Sequence, residues 1–231
     1  KTEDEIKKIK KAIKINIDGF KLIKKLIKPG LSESDIALKL ENFIKDKGAG
    51  FAFEPIIASG PNSAYPHARI SSRKLKKNEP VLADFGVAFQ GYRSDLTRIF
   101  FLGRIPLYFN RLYNEVLAAQ QAAIEKIAAG VRISEIDNCA RNFLAKKKLA
   151  EYFGHSLGHG IGREIHENPA VSAKNKLRLS EDMVFTVEPA VYLPGKFGIR
   201  IEDIVLVKKH NCEVLSVDLD NSIKAGPDHS D

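Results

Sequence analysis

The chain has 231 residues, 44% hydrophobic and 29% charged, with two cysteines and a formal net charge of +8. That length suits one large α/β domain or two small ones, and the apolar content makes a disulfide scaffold unnecessary. Cys139 and Cys212 fit no metal or redox spacing, no apolar run approaches a membrane span and no signal-peptide pattern opens the chain; a membrane partner is excluded and a reducing, cytoplasmic setting is expected.

The first predicted element carries most of the charge. Residues 1–28 hold ten lysines against Glu3, Asp4, Glu5 and Asp18, leaving the remainder of the chain close to neutral. Ile6, Ile9, Ile13, Ile17, Phe20, Ile23 and Ile27 recur at spacings of three and four, the buried stripe of an amphipathic helix with its lysines on the solvated face. This distribution argues against a nucleic-acid partner. Pro29-Gly30 ends the helix. A second helix runs through LSESDIALKLENFIKDKG, capped by Ser32 or Ser34 and stopped by Gly48.

A strand-rich segment follows, from FAFEPIIAS to IFFLG. In SGPNSAYPHARIS, Gly60, Pro61, Asn62 and Pro66 mark a loop that presents His67. DFGVAFQGYRSDLTR reads as a hairpin around Gln90-Gly91, with Asp84 and Asp95 on its two arms, placed to face each other across the ladder. A long helix is predicted over LYNEVLAAQQAAIEKIAAG, ending at Gly130, and another over VRISEIDNCARNFLAKKKL with Ser134 as its cap. The two helix pairs align without a gap at an offset of one hundred: Ile27, Gly30, Ser34, Ile36, Asn42 and Phe43 match Ile127, Gly130, Ser134, Ile136, Asn142 and Phe143. A duplicated half-domain is the reading.

The second strand-rich segment runs from Gly154 to VLVKKHNCEVLSV. GHSLGHGIGREIHENP is too glycine-rich for a helix despite the helix-like spacing of His155 and His159; its glycines let backbone approach a crowded site. His67, His155, His159 and His166 all lie in these two motifs, whereas His210, in a turn-like KKHN stretch, and His229, in the polar tail, are assigned no role. The expected fold class is α+β. Two αα-then-β halves, about 1–105 and 106–220, would pack about an approximate two-fold axis and share a curved, mainly antiparallel sheet with helices outside.

Five side chains bear on chemistry. Asp84 interrupts VLADFGVAF, Glu188 interrupts VFTVEPAVY and Glu202 interrupts GIRIEDIVLV, each a buried-strand pattern in which an unpaired carboxylate costs several kcal/mol or protonates. With Asp95 and His159 they make four carboxylates and one imidazole, about the charge and ligand set of two divalent ions. If residues 199–204 alternate regularly as one strand, Arg200 shares a face with Glu202 and braces the carboxylates.

Over essentially its whole length the chain resembles the pita-bread metallopeptidases, the family of methionine aminopeptidase, aminopeptidase P and prolidase. The Asp84-to-Asp95 interval, GHGIG at His159, Val-Glu-Pro at Glu188 and Arg-Ile-Glu-Asp at Glu202 carry the resemblance. SGPNSAYPHA, GYRSDLTR and VFTVEPAVYLPG are similar to the Xaa-Pro branch. The resemblance implies a single metallopeptidase catalytic domain, residues 1–231, that hydrolyses the bond before proline near the amino terminus of a peptide or dipeptide. A metal-bridging hydroxide would be the nucleophile.

The resemblance also implies roles. Asp84 and Glu202 would bridge two ions, Asp95 would bind one, and His159 with Glu188 the other. Glu188 would also move a proton to the leaving nitrogen, His166 would stabilise the oxyanion, and His67 and His155 would contact substrate or shuttle protons. His155 and Tyr192 are expected to line the proline side. Oxygen-dominated ligation favours Mn²⁺, with Co²⁺ or Zn²⁺ able to substitute. The substrate partner would be a peptide with proline second, and a homodimer is compatible. Relatives of the Xaa-Pro branch ordinarily carry an amino-terminal domain, absent from this sequence, which opens at Lys1. A non-catalytic module of the same fold and a methionine aminopeptidase are the alternatives, and the sequence does not separate aminopeptidase P from prolidase.

Overall fold

The computed structural model describes residues 1–223; His229 lies outside them. Helix α1 (Glu3–Leu26) opens with a capping box, in which the Thr2 hydroxyl accepts from Glu5 N and the Glu5 carboxylate accepts from Thr2 N. Its isoleucine stripe and Phe20 are buried. Helix α2 (Glu33–Asp46) opens the same way, from Ser32 and not Ser34. Strands β1 (Gly50–Phe51), β2 (Ile56–Ser59), β3 (Glu79–Phe85), β4 (Val87–Phe89), β5 (Tyr92–Arg93) and β6 (Leu96–Leu102) follow, with a 3₁₀ turn at Gly60–Ala64.

Helix α3 (Leu107–Ile124) begins earlier than the spacing predicts and ends short of Gly130. Pro106 holds the cap position, where its fixed φ leads into the first turn. Past Ile124 the chain continues in turns, Lys126 N donating to Ala123 O and Ile127 N to Ile124 O. Helix α4 (Ile133–Lys146) corrects a second expectation: Arg132 occupies the cap and Ser134 lies inside the first turn. No hydroxyl cap is needed, because the amides of Ile133 and Ser134 donate to the carbonyls of Leu177 and Asn175 at 2.9 Å each. In the first half, Glu33 N and Ser34 N donate to Arg73 O and Ser71 O at 3.0 and 3.1 Å. Gly30 (φ 93°) and Gly130 (φ 87°) precede the two helices and donate to Leu75 O and Leu179 O.

The remaining strands are β7 (Gly158–Gly160), β8 (Glu167–Val171), β9 (Val184–Val187), β10 (Ala190–Leu193), β11 (Phe197–Arg200), β12 (Asp203–Val207) and β13 (Cys212–Val214). All strand pairs are antiparallel. The first half contributes β2–β3–β6 and a β1–β4–β5 ribbon; the second contributes β13–β12–β9–β7–β8 and a β10–β11 ribbon. The two main sheets meet where Thr97 pairs with Glu202. One apolar core lies between α1, α2 and the strands, the other between α3, α4 and the strands. No helix among the described residues is long and apolar enough to cross a membrane.

Candidate metal centre and its cavity

Strand register assembles the site. Asp84 pairs with Thr97 between β3 and β6, and Thr97 pairs in turn, through an isolated bridge, with Glu202 in the link between β11 and β12, so these three side chains share one face. Asp95 sits two residues before Thr97, on the same face and diagonal to Asp84 rather than directly opposite it as the hairpin reading expected. The cause is that β4 and β5 leave the ladder between the two aspartates and pair with each other, with β1 on the far side of β4. Their turn does fall at Gln90-Gly91, both with positive φ.

The second half brings Glu188 and His159. Glu188 follows β9, its amide donating to Leu157 O at 2.8 Å and its carboxylate accepting from the Thr186 hydroxyl at 3.2 Å. The same hydroxyl accepts from His159 N at 3.1 Å. β7 can come this close only because Gly158 lacks a side chain: a Cβ there would stand 1.9 Å from Thr186 O. In the first half Thr97 has the matching role, its hydroxyl donating to Glu202 Oε2 at 2.7 Å.

The His159 ring is oriented by its own neighbour. Nδ1 lies 3.1 Å from Gly160 O, and since a carbonyl only accepts, Nδ1 carries the hydrogen. Nε2 faces the carboxylates, 3.4 Å from Asp95 Oδ2 and 3.5 Å from Glu188 Oε1. Ligand atoms of Asp95, His159 and Glu202 all lie within 4.8 Å of one another. Asp84 Oδ1, Asp95 Oδ1 and Glu202 Oε1 are buried without any hydrogen-bond partner. Burial first, and then repulsion from neighbouring carboxylates, pushes Asp95 and Glu202 well above the ordinary carboxylate range, and burial pushes Glu188 up as well. Orphaned carboxylate oxygens converging beside His159 Nε2 form a donor set that fits divalent cations.

Arg200 is bonded into the cluster, but not as the sequence suggested. The chain leaves β11 at Arg200 and enters β12 at Asp203, in different sheets, so 199–204 is no single strand. Its guanidinium donates to Asp84 Oδ2 and the Tyr192 hydroxyl, to Thr97 Oγ1 at 3.2 Å and to Pro66 O at 3.2 Å. Burial opposes its charge, yet Tyr192, Asp84 and the two glutamates hold its pKa well above the usual value. Arg200 therefore braces Asp84 directly and reaches Glu202 through Thr97.

A cavity of about 840 Å³ opens over this cluster, lined by all five predicted ligands, by Arg200 and by His67, His155 and His166. Phe53, Ile70 and Ile165 give it an apolar wall. The His166 ring is 4.3 Å from that of His159, and partial burial with the neighbouring His159 lowers its pKa, keeping it neutral near pH 7. Burial takes His155 down to about 4. Tyr192 departs from expectation: it does not line the cavity but stands behind His155, its hydroxyl 3.2 Å from His155 Nε2 and engaged by Arg200. Desolvation raises it to about 12.

Beneath the cluster is a polar layer that the sequence reading missed. Gln120 Nε2 donates to Val187 O, Ile201 O and Asp203 Oδ2 at 3.0–3.1 Å, and Arg98 donates to Thr97 O, Glu202 O and Asp203 Oδ1. The signal was present: Arg98 and Asp203 also interrupt apolar strands, as Asp84 does.

Comparison with known proteins agrees with this geometry. Residues 7–209 match the model of metallopeptidase family M24. The chain is 40% identical over 217 residues to a protein named Xaa-Pro dipeptidase from Pyrococcus horikoshii, covering 94% of this chain and 62% of that one. The solved X-Pro aminopeptidase from Thermotoga maritima superposes with a TM-score of 0.95 at 43% identity, over 97% of this chain and 64% of that one. Prolidase from Pyrococcus furiosus gives 0.92 at 38%, over 94% and 64%. The chain thus spans a little under two thirds of these relatives. The match over residues 7–209, together with these identities and superpositions, means that the chain belongs to metallopeptidase family M24 and has its pita-bread fold.

Proposed function

We propose that this chain is the catalytic domain of a metal-dependent peptidase that hydrolyses the bond preceding a proline next to a peptide's amino terminus. The observation that carries the reading is the set of three buried carboxylate oxygens without partners, gathered with His159 Nε2 at the floor of an open cavity. Asp84, Asp95, His159, Glu188 and Glu202 would hold two divalent cations, with Mn²⁺ suited to the oxygen-rich donors. When bound, such ions supply Lewis acidity and lower the pKa of water to near neutrality.

The chain's own groups complete the chemistry. Glu188, raised in pKa and held by Thr186, is suited to accept the attacking water's proton and pass it to the leaving nitrogen. His166, neutral and facing the cavity, is suited to donate to the developing oxyanion. His67 and His155 offer ring edges to the substrate, and Arg200 holds Asp84 in place. A proline nitrogen carries no N–H, so a wall of ring and aliphatic groups can favour it over ordinary peptides.

The printed names of the relatives, an Xaa-Pro dipeptidase and an X-Pro aminopeptidase, support the substrate class. The free thiols of Cys139 and Cys212, neither in a disulfide, suit a cytoplasmic setting. We also infer that residues 1–105 and 106–220 are duplicated halves; the equal lengths of α2 and α4 at an offset of one hundred support this.

The test is hydrolysis under defined Mn²⁺. Ala-Pro-Ala should be cleaved, while Ala-Ala-Ala and Met-Ala-Ser should be poor substrates. Efficient release of Met from Met-Ala-Ser with no action on the proline peptide would overturn the substrate class. Comparing Ala-Pro with Ala-Pro-Ala decides between dipeptidase and aminopeptidase.

A further inference from the structure

Glu33, at the start of α2, is fully buried and lies outside the cavity, yet it accepts more hydrogen bonds than any carboxylate in the site. Oε1 accepts from Ser59 N at 2.7 Å, Ser59 Oγ at 2.8 Å and Asn62 Nδ2 at 3.1 Å. Oε2 accepts from Ser71 Oγ at 2.7 Å, and from Ser71 N and Asn62 Nδ2 at 3.2 Å each. Ser59 and Ser71 are the two ends of the loop that presents His67 to the cavity, and Asn62 lies within it. Arg73 joins the network: it donates to Ser59 Oγ at 2.5 Å and makes a two-pronged ion pair with Glu79, both bonds 2.7 Å. One buried carboxylate therefore ties together both ends of a twelve-residue excursion from Gly60 to Ser71.

The helix does not itself need this acid. Its counterpart at the start of α4 is Ile133, equally buried and apolar. The second half places its own fully buried carboxylate elsewhere, at Asp137, opposite Ala37. Asp137 accepts from Leu157 N at 3.1 Å and from Arg141, which also donates to the carbonyls of Phe153 and His155. Each helix pair thus aims a carboxylate at the histidine-bearing loop beside it, from different helical positions. Packing would not require that. Placement of the histidines would.

We propose that Glu33 is a positioning residue that sets His67 at the mouth of the cavity by clamping both ends of the 59–71 loop. The proposal rests on the peptidase reading only for its kinetic arm. Every partner of Glu33 is a donor, so the clamp needs a carboxylate and not merely a side chain of that size. Glu33→Gln keeps the volume but sets an NH₂ against donors. Misplacement of a contacting group by about an ångström costs on the order of a hundredfold in rate, which is the scale the clamp controls.

The experiment is amide hydrogen exchange on the Mn²⁺-loaded protein, paired with a double-mutant cycle on Ala-Pro-Ala hydrolysis. E33Q should speed exchange across residues 59–71 by about tenfold or more, with β9 and β12 unchanged and metal content retained. It should lower kcat/KM by roughly tenfold or more in the wild-type background and by less than about twofold in the H67A background. If E33Q does not fold, Ser71→Ala, which removes one donor, should give the same pattern at smaller amplitude. Unchanged exchange across 59–71, or equal kinetic losses in both backgrounds, would overturn the clamp. Should the wild-type protein cleave no proline peptide, the peptidase reading fails, while exchange still decides the clamp.

Discussion

Asp84 and Arg200, 116 positions apart in the chain, form a buried ion pair at the floor of the cavity, with side-chain exposures of 8% and 5%. Arg200 offsets part of a cluster of four carboxylates, a task that bound cations would share. Arg200→Met should lower the melting temperature of metal-stripped protein substantially, since breaking a buried pair costs about 3–5 kcal/mol. Saturating Mn²⁺ should restore most of the loss. Thermal scans in chelator and in Mn²⁺ check this; an identical drop in both would mean Arg200 is not compensating the cation cradle.

Glu202 separates a structural role from a metal role by sign. Its Oε1 has no partner and its pKa is raised well above 4.5 by burial and by Asp95. Glu202→Gln removes that repulsion, so the metal-free variant should melt at or above the wild type near pH 7. Bound metal, measured on purified protein by elemental analysis, should nonetheless disappear together with activity. A variant that is destabilised yet keeps its metal contradicts the assignment.

The same shifts give a pH dependence. Asp95, Glu188 and Glu202 have folded pKa values above their ordinary 3.8 and 4.5, so above that range the native metal-free state holds more protons than the unfolded chain. These three groups therefore contribute stability that falls as pH rises toward the raised folded values, opposed below about pH 6.5 by His155 and His166, whose depressed pKa values make the native state gain stability as pH rises. Cations replace those protons, so saturating Mn²⁺ should flatten the slope. Melting temperatures from about pH 6.5 to 8, above the histidine range, decide it; a metal-free protein that gains stability across that window argues against a carboxylate-rich cradle.

His166 offers the cleanest kinetic test. Its ring faces the cavity and packs on His159. His166→Ala should keep metal content near wild type and lower kcat by on the order of a hundredfold, the usual effect of losing an oxyanion donor. Loss of metal instead would identify His166 as a ligand.

Asp137→Asn tests the second helix pair. Asp137 is fully buried against Arg141, whose side chain is 30% exposed, so the loss should fall near the low end for a broken buried pair, about 3 kcal/mol. For a domain of this size that is a fall of roughly 6–12 °C in Tm. Metal content should be retained, as Asp137 touches no ligand. A shift below a couple of degrees would show that the 153–157 loop holds itself.

What the sequence determined by itself was whatever local chemistry dictates. The isoleucine stripe of α1, a serine cap for α2 at Ser32 or Ser34 and the match of one helix pair to the other follow from spacing and from signals within a few residues. That five distant side chains would gather at one cavity was legible too, because an acid inside an apolar strand is costly unless something distant meets it. The tertiary structure alone decided what that distant partner is. No local pattern shows that Arg200 turns to Asp84 and Tyr192, since that depends on β11 and β12 entering different sheets. The Asp84–Thr97–Glu202 row exists only because two segments more than a hundred residues apart pair in one register. Nothing in the sequence singles out Glu33; its six hydrogen bonds come from a loop whose path the sequence does not specify. Local propensity acts over a handful of residues, whereas register and loop path are set by the packing of the whole chain, and there the sequence is silent until it has folded.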